Sequence, residues 1–172
     1  MKISDFGLEL IKAAEGLELK AYADTGGVPT IGYGHTAGVR LGQKTTQKQA
    51  EFFLKTDVES AEATVDKFVK VPIKQHEFDA LVSFVFNVGI GQFMKSTLLR
   101  KLNKEDRIGA VNELDRWIYD NGRILLWQIK RRAVERELFK TGVLNLVLFD
   151  GPNTNQKELT KWIESVILGT IA

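Results

Sequence analysis

Apolar side chains recur at intervals of three and four residues along much of the chain, which is the spacing of amphipathic helices. The first such stretch predicts a helix from about Ser4 to Glu15. A second helix opens at Thr46 and runs towards Val69, and Pro72 begins a new segment after the break. Two long helices near the N-terminus therefore frame the first half of the chain.

Between these helices, a Gly- and Thr-rich stretch through about Arg40 predicts a β-hairpin region. The remaining apolar periodicity predicts four more helices, at 74–88, 96–102, 106–119 and 126–141. Breaks are expected at 89–91 and 120–122, where glycine and other turn formers cluster. The pattern predicts an α+β, mainly helical fold with two lobes. The small β lobe spans about 15–45, and the larger helical lobe spans about 60–142 together with the N-terminal helix.

Composition limits the chemistry that the chain can carry. Its 172 residues are 44% hydrophobic and 27% charged, which is enough for a real core in one or two small lobes. There is no cysteine, so neither disulfides nor thiolate metal sites are possible. His35 and His76 are too few for a histidine-rich metal centre, although His35 with scattered carboxylates could be imagined as a ligand. We expect no cofactor and no metal.

The charge balance gives little indication of a partner. A net charge of +2 and a pI of about 8.8 would help approach to an anionic polymer. The basic run 130–132 with Arg136 is interrupted by Glu135 and Glu137, and no base-reading motif accompanies it. We therefore expect no nucleic-acid partner.

The N-terminal residues lack the apolar core of a signal peptide, and no stretch reaches the roughly 20 apolar residues that span a bilayer. We expect neither a transmembrane segment nor self-directed export.

Three polar residues early in the chain suggest glycoside hydrolysis. Glu15 ends an apolar-periodic helix, where packing would desolvate its carboxyl and suit it to act as a general acid. Asp24 lies in the polar turn 23–27 and suits a base or an electrostatic stabiliser. Thr30 begins an extended stretch, from which its hydroxyl could orient a water molecule. A lone pair of carboxylates at this spacing more often marks solvated surface, so the neighbouring residues must decide.

Those neighbouring residues carry a specific resemblance. The runs Glu15-Gly16-Leu17, 21–24 (AYAD) and 26–35 (GGVPTIGYGH) closely resemble the phage-type lysozymes, glycoside hydrolase family 24. The similarity continues in the segments 80–89, 96–99, 116–117, 131–132 and 135–139. It covers roughly residues 3–142.

The resemblance implies a lysozyme-like fold and an endolysin that cuts the β-1,4 bond between N-acetylmuramic acid and N-acetylglucosamine for host cell lysis. Glu15 would be the acid, Asp24 and Thr30 would manage water, and the anomeric centre would be inverted. The matching glycan-groove positions are Tyr22, Thr36, Phe86, Asn87, Ser96 and Asn112. Phe86 also belongs to an apolar helical stripe, so core packing alone could explain it. The resemblance further places His35 opposite Asp57 as an ion pair.

The resemblance also implies partners and a place of action. The enzyme would be made in the host cytoplasm, released through a separately encoded holin, and act on peptidoglycan glycan strands in the periplasm as a monomer. Two alternatives keep part of this interpretation. One is a catalytically silent peptidoglycan-binding module, and the other is a bacterial or virion-associated wall hydrolase with the same chemistry.

Two segments depart from the family pattern. Trp127-Gln128 stands where relatives commonly carry Gly-Leu. We expect Trp127 to fill a core gap, and the alternative is a sugar-stacking platform or an obstruction near the cleft. The extension 143–172 begins with an apolar run and has helical apolar spacing after residue 156. We expect it to pack on the helical lobe, with self-association or docking to a partner as the alternative.

Overall fold

The computed structural model describes residues 1–24, 26–120 and 123–142. The extension 143–172 lies outside the described residues, and the predictions made for its packing and its helix lie there with it. Within the described part, the fold is mainly helical with a small antiparallel hairpin near the N-terminus, as predicted, and with a second short hairpin that was not predicted.

The first helix, α1, spans Asp5–Glu15. Ser4 caps it, because its hydroxyl oxygen accepts a hydrogen bond from the Gly7 N–H at 3.1 Å and donates to Asp79 at 2.6 Å. Ile11 is fully buried on its inner face. The predicted start and end of this helix are confirmed, and the end places Glu15 at the edge of the core.

A hairpin follows directly. Strand β1 (Glu18–Ala23) pairs antiparallel with β2 (Pro29–Gly32), and Tyr22 lies opposite Thr30. The short reversal between the strands holds Asp24, whose backbone N–H donates to the Val28 carbonyl at 3.0 Å. The predicted β region is confirmed as a two-stranded sheet.

The long helix α2 spans Gln47–Phe68 and begins, as predicted, after Thr46, whose hydroxyl accepts from the Gln49 N–H at 3.2 Å. Its apolar side buries one residue per turn at Ala50, Leu54, Val58, Ala61 and Val65. Contacts with β2 at one end and with α3 and α4 elsewhere make α2 the link between the hairpin and the helical lobe.

The helical lobe is built around α3, which spans Gln75–Val88 and is buried continuously from residue 77 to residue 85. It packs against α7 (Leu126–Thr141), α2 and α1. The other elements of this lobe are α4 (Ile90–Lys95), α5 (Thr97–Leu102), α6 (Arg107–Asn112) and a 3₁₀ helix (Glu113–Arg116). A helix that is buried on all sides carries apolar residues around its whole circumference. This explains why the segment 80–85 is apolar at every position except Ser83.

Two predicted elements are wrong in detail. The expected break at 89–91 holds only Gly89, with φ of +87°, and α4 begins at the next residue. The single helix expected over 106–119 ends at Asn112 and passes through the 3₁₀ helix into β3 (Tyr119–Asp120), which pairs with β4 (Arg123–Ile124). Trp117 leaves helical geometry and packs its ring edge-on against Phe84 at 5.3 Å between centroids. Tertiary packing therefore overrides the local helical pattern here.

Candidate active site

Glu15 is fixed at the C-terminal end of α1. Gly16, with φ of +74°, ends the helix and donates its N–H to the Lys12 carbonyl. The Glu15 carboxyl is 23% exposed, and its Oε1 accepts a hydrogen bond from Nη1 of Arg131 at 2.5 Å. The side chain is thus mostly buried, and it is held in place by a cation 116 residues further along the chain.

Arg131 is itself held by buried partners. Its Nε donates to Oε1 of Glu135 at 3.2 Å, and its Nη2 donates to the Ser83 carbonyl at 3.1 Å. The Ser83 hydroxyl donates to the same Glu135 oxygen at 2.7 Å, and Glu135 is fully buried. Each of the three guanidinium nitrogens therefore has a hydrogen-bond partner, and these contacts fix the orientation in which Nη1 donates to Glu15.

The neighbouring Arg132 shares Glu135. It donates to Glu135 Oε2, to the Asn87 side-chain oxygen, and to Gln128 Oε1 at 3.0 Å. Its guanidinium lies 4.9 Å from the centroid of the Phe84 ring, and burial lowers its pKa from the ordinary value, against the opposing charge of Glu135. Two arginines and one glutamate thus support the helical side of the site.

Asp24 is oriented by its own turn. Its Oδ1 accepts hydrogen bonds from the Gly26 and Val28 N–H groups, both at 2.8 Å. Among the described residues, its Oδ2 has no hydrogen-bond partner. A carboxylate anchored by one oxygen leaves the other to bind water.

Thr30 lies on β2 beside this turn and is 4% exposed. Its hydroxyl donates to the Val28 carbonyl at 3.0 Å, which leaves the oxygen lone pairs to accept from a further group. The structure therefore ties Thr30 and Asp24 together through the backbone of Val28.

Two observations bring the hairpin next to Glu15. Partial burial raises the pKa of the Tyr22 hydroxyl, and the charges of Glu18, Glu15 and Asp24 raise it further, so Tyr22 lies within electrostatic reach of both predicted catalytic carboxyls. A methyl group placed on Gly34 would lie 3.6 Å from Glu15 Oε2. Tyr22 on β1 and Gly34 after β2 are therefore both close to the Glu15 carboxyl.

His35 forms the predicted pair with Asp57. Its Nδ1 lies 2.8 Å from Asp57 Oδ2, and its ring stacks on Phe53 with the ring centroids 4.4 Å apart. The pair fastens the segment after β2 to α2, which fixes the hairpin relative to the helical lobe. In the described ranges, no group of His, Asp or Glu side chains is arranged to hold a metal ion.

The predicted groove residues separate into two groups. Tyr22 and Thr36 are exposed beside the hairpin, Asn112 is exposed at the end of α6, and Asn87 is partly exposed at the end of α3. Phe86 is partly buried and packs against the core, consistent with its apolar stripe. Ser96 is 6% exposed, and its hydroxyl oxygen accepts from the Leu99 N–H at 3.0 Å. This hydroxyl caps α5, so its contact with Leu99 accounts for the serine without a sugar.

The sequence identifies the support of the site only in part. The family resemblance includes 131–132 and 135–139 and implies an internal salt bridge from one arginine, but it does not specify which arginine or that Glu15 and Glu135 are its partners. The available signal was helical spacing, because Glu135 lies four and three residues after the arginines and on the same face as buried Leu138. An apolar face that contains three charged residues indicates a buried ion-pair network.

A largely buried carboxyl at a helix end, next to a hairpin that bears a carboxylate and a hydroxyl, is consistent with a lysozyme-type glycoside hydrolase. The comparisons agree with this class. The family model described as "Phage lysozyme" matches residues 12–135.

Relatives and solved structures extend the match. The endolysin of Acyrthosiphon pisum secondary endosymbiont phage 1 is 46% identical over 145 residues, covering 82% of this chain and 99% of that protein. The endolysin of Bacillus phage PZA is 45% identical over 83% of this chain, which spans only 56% of that longer protein. The muramidase domain of SpmX from Asticaccaulis excentricus superposes with a TM-score of 0.78 at 41% identity, covering 81% of this chain and 98% of that domain.

The chain therefore belongs to the phage lysozyme family. Its function is that of an endolysin, a muramidase-type glycoside hydrolase of host cell lysis.

Proposed function

We propose that the enzyme cleaves the β-1,4 bond between N-acetylmuramic acid and N-acetylglucosamine, with Glu15 as the general acid and with Asp24 and Thr30 positioning the attacking water. The observation that carries this assignment is the position of the Glu15 carboxyl, which Arg131 holds at the end of α1 with its Oε2 beside Gly34, just after the strand that bears Thr30. The catalytic domain would be residues 1–142.

The contacts of Glu15 specify which of its oxygens acts. Arg131 has only donors, so it binds Oε1 as an acceptor, and the proton of the acid form must reside on Oε2. Oε2 is the oxygen that faces Gly34 and the hairpin. A glycosidic oxygen placed between the two lobes would therefore meet the proton on the hairpin side.

The partners of Asp24 and Thr30 support water attack from the hairpin. Asp24 Oδ2 and the lone pairs of the Thr30 hydroxyl are both available to accept hydrogen bonds from one water molecule. A water bound in this way would attack the sugar from the face opposite Glu15, which inverts the anomeric centre. Inversion distinguishes this mechanism from one in which Asp24 is the nucleophile.

The remaining groove contacts would come from both lobes. Tyr22 and Thr36 would bind sugar from the hairpin side, and Asn87 and Asn112 from the helical side, with Phe86 contributing an apolar edge. These residues are exposed or partly exposed, so each is accessible to a ligand.

The first test compares wild type, Glu15→Gln and the matched control Glu18→Gln on purified peptidoglycan. Glu18 is an exposed carboxylate at the start of β1. We expect new reducing muramic acid ends from wild type and Glu18→Gln, and a loss of about 10²–10⁴-fold in Glu15→Gln. Anhydro ends would instead indicate transglycosylation, and binding without release would indicate a silent module.

The stereochemistry needs its own measurement. Early-time NMR of the products formed by wild type should show the α-anomer first, because a single displacement inverts the β-bond. Initial formation of the β-anomer would contradict the role given to Asp24 and Thr30.

Access to the wall would depend on a second protein. In the part of the chain that the structure describes, no helix is long and apolar enough to span a membrane. The enzyme would accumulate in the host cytoplasm and reach periplasmic peptidoglycan when a holin permeabilises the membrane. Expression of the enzyme alone should leave cells intact, and chloroform or a co-expressed holin should cause lysis. Lysis without either would contradict this route.

A further inference from the structure

The inner face of α7 continues beyond the core at its N-terminal end. This face carries Arg131 and Arg132 and, one turn later, Glu135, all of them buried. Positions four residues earlier share a helical face, so Trp127 precedes Arg131 and Gln128 precedes Arg132 on the same stripe. Both residues therefore lie on the side of α7 that bears the Glu15 and Asn87 contacts, rather than on its outer side.

Trp127 does not fill a gap in the core. Its side chain is 51% exposed, and among the described residues its indole N–H has no hydrogen-bond partner and its ring has no aromatic or cationic partner. The expected gap-filling role is wrong. The stripe instead ends in a large aromatic surface, about 6 Å along the helix axis from the residue that holds Glu15.

Gln128 is oriented by Arg132. Its Oε1 accepts from an Arg132 Nη2 at 3.0 Å, and the Asn87 side-chain oxygen accepts from the same nitrogen. Because arginine can only donate, both carboxamides must turn their oxygens towards it and their NH₂ groups away. The two side chains therefore present a pair of donors, and the orientation of each is fixed by a buried cation.

This combination suits a sugar better than other ligands. An indole face stacks on the apolar face of a pyranose ring, and carboxamide NH₂ groups donate to hydroxyl and N-acetyl carbonyl oxygens. The positive charge of Arg132 is neutralised by Glu135, so this arginine is not available to an anionic group.

We propose that Trp127 and Gln128 form a saccharide subsite on the first turn of α7, which binds an N-acetylated sugar of the glycan strand next to the bond that is cut. Trp127 stacks on the ring, and Gln128 donates to its acetamido carbonyl or to a hydroxyl. This subsite rests on the proposed function, since it takes the same substrate.

The test measures binding without turnover. In the Glu15→Gln background, calorimetry with a soluble N-acetylglucosamine hexasaccharide compares Trp127→Ala, Trp127→Phe, Gln128→Leu and the control Leu126→Ala. Leu126 is also exposed, at 64%, on the same turn. We expect Kd to rise roughly three- to tenfold for Trp127→Ala and Gln128→Leu, with Trp127→Phe near the parent and Leu126→Ala unchanged.

Turnover supplies the second measurement. With Glu15 intact, Trp127→Ala should raise KM on peptidoglycan by a similar factor and leave kcat within about twofold. The reason is that stacking stabilises the bound substrate and the transition state equally. An unchanged KM, a lower KM, or an equal loss in Leu126→Ala would overturn the subsite. If Trp127→Ala does not fold, Trp127→Tyr and Trp127→Leu replace it, and equal Kd values for these two would overturn stacking.

The catalytic role of Glu15 and the subsite at Trp127 and Gln128 can be refuted independently of each other. If Glu15→Gln still cuts peptidoglycan, the proposed catalytic role falls, whatever Trp127 does. If Glu15→Gln is inactive and Trp127→Ala binds the hexasaccharide like its parent, the subsite alone falls.

Discussion

At the scale of single residues, the Glu15 carboxyl is held by an arginine that comes from the other end of the described chain. Glu15, Asp24 and Thr30 lie close together in the sequence, so their motif was visible there. Arg131 contacts Glu15 across 116 residues of sequence, a distance that no local pattern spans. The charged residues within the apolar stripe of α7 indicate a buried ion-pair network. They do not indicate that Glu15 accepts a hydrogen bond from it.

The buried arginine should dominate the stability of the site. Arg131→Met leaves Glu15 without its cation and removes one of the two arginines that pair with buried Glu135, so we expect a loss of about 3–5 kcal/mol in the free energy of unfolding. Arg136→Met on the same helix removes only a partly exposed pair with Asp115, at 2.8 Å, and should cost about 1 kcal/mol or less. Urea denaturation of both variants makes the comparison. Equal losses would contradict the central role of Arg131.

The absence of a side chain at Gly34 should matter for catalytic activity, in addition to the backbone conformation that glycine allows there. Gly34 and Gly38 both have positive φ, at +89° and +71°, so alanine at either should cost about 1 kcal/mol. Only the alanine at position 34 would place a methyl group 3.6 Å from Glu15 Oε2, whereas nothing lies within 4 Å at position 38.

We therefore expect kcat/KM on peptidoglycan to fall about tenfold for Gly34→Ala, since small displacements at the reacting centre are costly, and to stay near wild type for Gly38→Ala. Matched losses in both variants would show that strain alone, rather than contact with the acid, sets the effect.

At the scale of elements, the sequence predicts helices well where local signals agree. The starts of α1, α2 and α7 were placed within a residue, because a cap or a break precedes an apolar period in each. The segment 106–119 was mispredicted because the position of Trp117 is decided by its contact with Phe84, which is distant in sequence. Short elements such as α4 and the second hairpin have too few residues for a period to show.

The junction between α5 and the 3₁₀ helix should be sensitive to acid. The hydrogen bond from Lys101 to Glu113, at 2.6 Å, lowers the pKa of this carboxyl from its ordinary value of 4.5. A depressed folded-state pKa stabilises the fold above the unfolded value, and the stabilisation is lost as the pH falls through the folded value.

Glu113→Gln should therefore cost about 0.5–1 kcal/mol at pH 7, with the difference from wild type shrinking as the pH falls below about 4.5. Urea unfolding at pH 7 and pH 3.5 checks this, with the exposed Glu59→Gln as the control. A difference that persists unchanged at pH 3.5 would mean that packing, not the ion pair, accounts for the loss.

At the scale of the whole molecule, the proposed site is assembled from both halves of the described chain. The hairpin supplies Asp24 and Thr30, α1 supplies Glu15, and α7 holds the acid in place. The His35–Asp57 pair fastens the hairpin segment to α2, which itself contacts the helical lobe. The geometry of the acid and the water-binding groups therefore depends on how α1, α2, α3 and α7 pack, and the buried polar network joins three of these helices, α1, α3 and α7.

This organisation predicts the effect of removing residues 143–172. The family match ends at residue 135, and α7 is capped by Gly142, whose N–H donates to the Leu138 carbonyl at 3.0 Å and where a Cβ would come within 2.8 Å of the His76 ring. All proposed catalytic and sugar-binding residues precede this point. A chain ending at Gly142 should keep kcat/KM within about twofold of the full chain, because no group near the reacting centre is lost.

The same truncation should lower the free energy of unfolding by about 1–3 kcal/mol if the apolar run 143–149 packs on the helical lobe as the sequence predicts. Removing only 156–172 is the matched control, since it keeps that run. Full activity with reduced stability would establish packing, whereas unchanged stability would refute it. A lost activity would instead show that the extension contributes to the site, and would move the boundary of the catalytic domain beyond Gly142.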